Sequence, residues 1–512
     1  MIEGFRPRAD RTIPSRAPRL ICAAALAAAL SACAVGPEYR RPATPQADRY
    51  TETALPAQTV DSPGPGGLAQ RFSAGEDIPA DWWKLFRSEA LDGLIRDALA
   101  RSPNIAAAQA ALRQAGEIYQ SERGGQSLPR VDGQLGAQRQ KINGIPFGQP
   151  DFASALNLYN ASVNVSYRFD LFGGTRRELE KLQASVDYQG FQLRAAYLAL
   201  SANLVTSAVQ EASLRAQIEA TERIAADQAS QLDVLRRQFD AGGAARTDVL
   251  SQQTQLAQTE ASLAPLRQSL AQTRHRLASL SGRLPGEGGL PAFHLDMFTL
   301  PDSLPVSVPS ELARRRPDIL ASEALLRQAS AQVGVAAAAL YPQLTLSAGY
   351  GSQAGSGSQL LTPAAAVWNF GAGLAQPLFH GGELRSRKRA AEAAYEQAEA
   401  QYRETVLSAF QNVADALRAL DNDAAGLRAQ TQAWSSARDT LELARKQYGL
   451  GAIGYLSLLD AQRQYQQTTI ALAQARAARY ADTAALFQAL GGGWRQDETE
   501  KTAAPPQQEN TR

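Results

Sequence analysis

Residues 382–447 read GELRSRKRAAEAAYEQAEAQYRETVLSAFQNVADALRALDNDAAGLRAQTQAWSSARDTLELARKQ, with no proline and one interior glycine, Gly426. A stretch so rich in Ala, Glu, Gln, Arg and Leu favours one continuous helix. Val406, Val413, Leu420, Leu427, Trp434 and Leu441 recur every seven residues, with Phe410 and Leu417 between them, and so mark a coiled-coil seam. At 1.5 Å per residue such a helix is about 95 Å long, more than a compact domain requires. The stretch predicts a structure that reaches across a distance.

The long helix belongs to the second half of an internal duplication. Pro103-Asn104-Ile105 and Ala111-Leu112-Arg113-Gln114-Ala115 return as Pro317-Asp318-Ile319 and Leu325-Leu326-Arg327-Gln328-Ala329. Arg236-Arg237-Gln238-Phe239, Gly242, Val249-Leu250 and Gln253 return as Arg445-Lys446-Gln447-Tyr448, Gly451, Leu458-Leu459 and Gln462. Each half reads helix, strand, strand, long helix, turn, medium helix. The first repeat, 81–290, is expected to hold helices over 103–123, 175–238 and 246–280 and strands over 130–142 and 157–171. The second, 310–494, repeats this with helices over 318–340, 382–447 and 455–490 and strands over 342–352 and 366–379. In each half two shorter helices stacked end to end match the long one. Residues 291–309 form a linker and 495–512 a disordered tail.

The strands alternate. Ala161, Val163, Val165, Tyr167 and Phe169 interleave with Ser162, Asn164, Ser166 and Arg168, and Trp368, Phe370, Ala372 and Leu374 with Asn369, Gly371 and Gly373. One apolar face and one small or polar face suit a transmembrane barrel, and equally a half-buried soluble sheet. Four strands cannot close a barrel, and lipid excludes open strand edges. Spanning strands must therefore be pooled between chains. Three chains supply twelve strands and a pore, whereas two supply eight and an interior filled by side chains.

The N-terminus reads as an export signal. Arg6, Arg8, Arg11, Arg16 and Arg19 outweigh Glu3 and Asp10, making residues 1–32 net +3 and leaving −1 of the chain's +2 for the rest. Such a balance gives no reason to expect nucleic acid. Leu20 to Leu30 is apolar but too short to span a bilayer, and Leu30-Ser31-Ala32-Cys33 follows. This resembles a bacterial lipoprotein signal over 1–32, whose removal leaves Cys33 as a lipidated first residue, with no disulfide possible in the mature chain. The absence of aspartate after Cys33 favours the outer membrane by the same resemblance. Residues 33–80, rich in Pro, Gly, Thr and Gln, read as a tether with little regular structure, ending at Asp81-Trp82-Trp83.

Taken together, Gly36-Pro37-Glu38-Tyr39 behind the lipid signal, Trp82-Trp83, the duplicated halves, Tyr448-Gly449-Leu450-Gly451, Leu458-Leu459-Asp460-Ala461-Gln462 and Gly491-Gly492-Gly493-Trp494 resemble the TolC-like outer-membrane efflux proteins, in their NodT-like lipoprotein branch. The resemblance implies an α+β membrane protein with four transmembrane strands and long periplasmic helical hairpins per chain. Three chains then form a twelve-stranded β-barrel continuous with an α-helical barrel. It also implies a passive exit duct in outer-membrane lipid, served by a periplasmic membrane-fusion adaptor and an inner-membrane resistance-nodulation-division (RND) pump. A duct for protein secretion shares that fold. Lipidation and the closing Gly-Gly-Gly-Trp favour drug-type efflux by resemblance.

No enzymatic chemistry is legible. Gly349-Tyr350-Gly351 and Gly371-Ala372-Gly373 mimic dinucleotide loops but lie on strands, and His275, His294 and His380 share no metal or triad spacing. No cofactor is expected beyond the lipid on Cys33. The helix reversals at 240–246 and 449–454 are expected to be periplasmic tips, where Arg236, Gln238, Gly242, Arg445, Gln447 and Gly451 suit adaptor docking and equally plain helix capping. By family resemblance Glu442 stands where an aperture acid belongs, with Asp439 second. Both also suit a solvated helix surface.

Overall fold

The computed structural model describes residues 35–43, 47–76, 78–144 and 149–493. The expected signal, Cys33 and the tail over 495–512 lie outside them. In chain order the elements are β1 (Arg71–Ala74), α1 (Glu89–Arg101), α2 (Pro103–Ser127), β2 (Arg130–Gly144), β3 (Gln149–Phe169), α3 (Gly174–Asp240), α4 (Arg246–Leu280), β4 (Ser303–Val306), α5 (Pro309–Arg315), α6 (Pro317–Ala338), β5 (Gln343–Ala354), β6 (Ala366–Ala375), α7 (Glu383–Gly449) and α8 (Tyr455–Ala489). The strand expected over 157–171 starts earlier, at Gln149, so β2 and β3 form a longer hairpin. Helix α1 was not foreseen.

The chain divides into two compact units. Gln114–Val186 and Leu325–Glu399, with the N-terminal stretch up to Arg40, form the first. Its sheet has the order β2-β3-β5-β6, antiparallel throughout. The segment that follows Cys33 is fixed to the end of this sheet. Val35 N–H donates to Phe172 O at 3.1 Å, and the Phe172 ring stacks on Tyr341 at 4.8 Å. Gly36, at φ +110°, passes so close to α6 that a Cβ would lie 2.6 Å from Gly334 Cα. Only glycine accepts both the conformation and the approach.

The second unit is Arg41–Arg113, Asp187–Ala324 and the chain from Ala400 onward. Here Val406, Val413, Leu420, Leu427 and Leu441 are buried as the seam predicts, with Ala409, Ala416, Ala437 and Ala444 buried beside them. Trp434 is half-buried with the Arg438 guanidinium 5.1 Å over its ring, and Phe410 leaves the seam to pack on Tyr50 at 5.7 Å.

The stretch expected to be a loosely structured tether is instead part of this core. β1 pairs in parallel with β4, from Arg71 opposite Ser303 to Ala74 opposite Val306. Thr59 and Gln70 are buried and exchange hydrogen bonds of 2.9 Å. Arg479 of α8, fully buried, ties the segment down. It donates to Leu420 O at 3.0 Å, Leu68 O at 3.1 Å and Thr59 Oγ1 at 3.4 Å. Gln70 Nε2 reaches Pro301 O at 3.2 Å and Thr483 Oγ1 at 3.3 Å, and the Tyr480 hydroxyl donates to Phe298 O at 3.1 Å. The Pro- and Gly-rich composition hid this packing because the binding partners lie hundreds of residues away in sequence.

Asp423 of α7 occupies a seam-flanking position beside Arg479 and the carboxyl group of Asp482 of α8. Burial, then the neighbouring carboxyl, push Asp423 from 3.8 up to about 7 against the pull of Arg479. The folded chain thus holds this proton more tightly than the unfolded one, so the associated stability is full at low pH and lost as pH rises through about 7. Asp423→Asn keeps nearly the same side-chain shape without the ionisation. Thermal midpoints measured from about pH 5 to about pH 8.5 should fall less steeply in the variant than in the wild type. Equal slopes would remove Asp423 as the titrating group.

Candidate functional site

The sheet register sorts side chains onto two faces. Across the strands, Val131 faces Val165, Val163 faces Tyr350, and Tyr350 faces Trp368; the next row aligns Val165, Ala348 and Phe370, and the row at the helix end aligns Phe169, Leu344 and Leu374. All lie on one face by the alternation of a pleated strand. Leu135, Tyr350, Trp368, Phe370 and Leu374 are each more than 60% exposed, too much apolar surface for a sheet standing in water. The other face aligns Asp132 with Asn164 and Gly349, Gln134 with Ser162 and Gly351, and Arg168 with Thr345 and Gly373. One face suits hydrocarbon and the other water, which settles between a membrane strand and a half-buried soluble one. No described helix is long and apolar enough to cross a membrane. Among the described residues no acid, histidine or cysteine cluster could hold a metal.

The two helix reversals have the same geometry. After α3, Gly242 at φ +76° donates to Phe239 O at 2.9 Å and Gly243 to Gln238 O at 2.7 Å. After α7, Gly451 at φ +70° donates to Tyr448 O at 2.9 Å and Ala452 to Gln447 O at 2.9 Å. This paired capping satisfies the orphan carbonyls at both helix ends and makes each glycine stereochemically necessary. Leu235, Leu441, Ala444, Tyr455, Leu458 and Leu459 form an apolar core beneath the turns.

Of the expected docking residues, Arg236 and Gln238 are exposed, while Gln447 is half-buried. Arg445, also exposed, bridges α7 to α3 through Asp227 at 3.0 Å. Asp439 is paired with Arg438 at 2.9 Å; Glu442 is exposed. Polar ties that no sequence pattern announces also join the helices of this unit. Gln252 of α4 accepts from the Tyr455 hydroxyl and donates to Gln228 O of α3 at 2.7 Å, and Gln255 accepts from Arg463 at 2.7 Å. Gln252 and Gln255 fall three apart on one helical face, but glutamine is too often a surface residue for that spacing to have signalled burial. Asp460, within the motif at 458–462, is a 78% exposed acid on α8 with Arg463 4.0 Å away.

The family model described as "Outer membrane efflux protein" matches residues 94–283 and again 308–492, one match on each repeat. The chain belongs to the outer membrane efflux protein family. The pyoverdine export outer membrane protein OpmQ of Pseudomonas putida is 31% identical over 490 residues, covering 94% of this chain and 98% of that protein. The toluene efflux pump outer membrane protein TtgI of the same species is 27% identical over 472 residues, covering 91% and 96%. The solved structure of the outer-membrane channel OprN, 30% identical, matches 90% of this chain and 100% of its own with a TM-score of 0.82. This efflux protein is a TolC-like outer-membrane channel, an exit duct of the kind that works with RND-type pumps.

The matched reversals make a paired test of the capping glycines. Gly451→Ala forces a Cβ into the left-handed region and should cost about 1–2 kcal/mol. Gly449→Ala, in the last turn of α7 with open space around it, should be neutral or stabilising by up to about 1 kcal/mol. Thermal midpoints of the two variants should therefore move in opposite directions, or only the first should fall.

Proposed function

We propose that three copies of this chain close their sheets into one twelve-stranded barrel, the free edge of β2 in each pairing with the free edge of β6 in the next. The duct then carries drugs or other small toxic molecules out of the cell, handed over by a periplasmic membrane-fusion adaptor and driven by an inner-membrane RND pump. The observation that supports this most is the single apolar face held in register across all four strands, with two edges left open. Pyoverdine and toluene, named for two relatives, are chemically unlike. Similar ducts with such different cargo support a passage that leaves selection to the pump.

Cys33 is assigned as the acylated first residue of the mature chain, placing the protein in the NodT-like lipoprotein branch. Val35, two residues on, is held against Phe172 at the helix end of the sheet, which would set the lipid at the inner border of the membrane and the helices in the periplasm. Arg236, Gln238, Gly242, Arg445, Gln447 and Gly451 are assigned to the rim that meets the adaptor. Glu442 is assigned to the aperture ahead of Asp439, whose charge Arg438 already offsets. Three symmetry-related carboxylates would repel one another there and oppose closure.

Cells lacking this chain should retain a fluorescent RND substrate, and wild-type protein should restore its extrusion. Cys33→Ala should lower the amount of channel held in the outer membrane, and with it the extrusion. Unchanged retention together with loss of a secreted protein from the medium would replace efflux by secretion as the duct's task. For the aperture, single-channel conductance of Glu442→Ala should differ from wild type in its pH dependence. Identical conductance at every pH removes Glu442 from the constriction.

A further inference from the structure

The apolar face of the sheet ends in cations. Along β2 its positions run Val131, Gly133, Leu135, Ala137, Arg139 and Lys141, opposite Val165, Val163, Ala161, Tyr159, Asn157 and Ala155 of β3. From Phe169 to Tyr159 the face covers about 34 Å of strand, or about 25 Å of height at the usual barrel tilt, which is the thickness of the apolar band on outer-membrane barrels. Aromatic rings mark both borders. Tyr167 and Phe169 meet edge-on at 5.4 Å on the helix side, while Tyr350, Trp368 and Tyr159 lie toward the far side.

At the far border the sheet narrows. β6 makes its last pair at Ala366 and β5 at Ala354, the latter opposite Tyr159. β2 and β3 continue alone as a two-stranded ribbon. The first two positions of β2 on the outer face of that ribbon are Arg139 and Lys141, both exposed. Asp132, lower on β2, is taken up by Arg130 at 2.9 Å, and among the side chains described neither Arg139 nor Lys141 forms an ion pair.

We propose that Arg139 and Lys141 bind the phosphate groups of the glycolipid in the outer leaflet of the outer membrane. The inference rests on the sheet's placement in that membrane with the β2–β3 turn outermost. Two residues apart on one strand face, the side chains stand about 7 Å from each other, directly above the apolar band. Their aliphatic stems extend over the hydrocarbon border and their charged heads reach the headgroup layer. The arginine offers a planar fork to phosphate oxygens and the lysine a mobile point charge. Hydrocarbon below and phosphate at the border match the vertical order of apolar band and cation pair on the protein.

The test uses the full-length channel and the double variant Arg139→Ala/Lys141→Ala, each reconstituted in phosphatidylethanolamine vesicles. Parallel samples contain bisphosphorylated lipid A, dephosphorylated lipid A, or inorganic phosphate alone. Wild type should retain bisphosphorylated lipid A through detergent extraction, as read by native mass spectrometry, and gain several degrees in thermal midpoint. Two lost surface cations should weaken that retention about thirtyfold. Dephosphorylated lipid A and free phosphate should give neither effect. The exchange variant Arg139→Lys/Lys141→Arg should keep most of the retention, so a fold too damaged to bind is separated from a lost site. Equal retention by wild type and the alanine variant overturns the proposal, and so does a stabilisation reproduced by inorganic phosphate. Pore formation is measured in the same vesicles. Wild type that forms no pores would count against the duct, whereas a conducting wild type that ignores lipid A would count only against this site.

Discussion

A backbone amide or carbonyl left unpaired in hydrocarbon costs several kcal/mol, and a four-stranded sheet leaves two rows of them. That constraint orders the rest of the protein. The apolar face fixes that the sheet stands in lipid, and lipid fixes that the outer edges of β2 and β6 must find further strands. Strand pairing is set by register, and register here is unbroken from β2 to β6 until the turn of the first hairpin. A slip of one residue in β5 or β6 would turn Tyr350 or Trp368 toward the water face. The paired rows of aromatic and aliphatic residues make such a slip costly.

The helical part meets a different difficulty. A seam repeating every seven residues is nearly indifferent to sliding by seven, since Val406, Val413 and Leu420 could exchange places with little change in buried area. Polar ties remove that freedom. Tyr455 on Gln252, Arg463 on Gln255 and Arg445 on Asp227 each join two helices at one position only. Arg479 does the same for the N-terminal segment, collecting carbonyls from Leu68 and Leu420 in the middle of the core. A charge so deeply placed adds little net stability, and its value lies in specifying one arrangement of chain segments. Asp423 and Asp482 complete this polar centre, two neighbouring carboxyl groups next to the guanidinium.

Gene duplication is visible in the physics as well as in the sequence. Both long helices end on the same pair of hydrogen bonds around a left-handed glycine, although the two turns share few other side chains. The halves diverged in what the turns carry, with Arg236 exposed and its counterpart Arg445 tied to α3. Identical backbone demands preserved the glycine, while the neighbouring surface was free to specialise.

Much was legible from local pattern alone. The heptads of α7, the alternation in β3 and β6, the glycines of the reversals and the repeated motifs are periodic or stereochemical signals, and each is dictated by residues within a few turns of one another. They determined most element types and the duplication, but a sheet in lipid was told from a soluble one only when the register aligned the exposed apolar residues on one face. The sequence could not show that residues 47–76 are packed core, because Thr59 and Gln70 are held by Arg479 and Pro301, far along the chain. Nor could it show that Gln252, Gln255 and Arg479 are buried, since polar side chains enter a core only when particular partners meet them there. Local periodicity states which face of an element is apolar. Only the tertiary structure decided which polar groups cross between elements, because hydrogen bonds depend on positions in space that no spacing along the chain encodes.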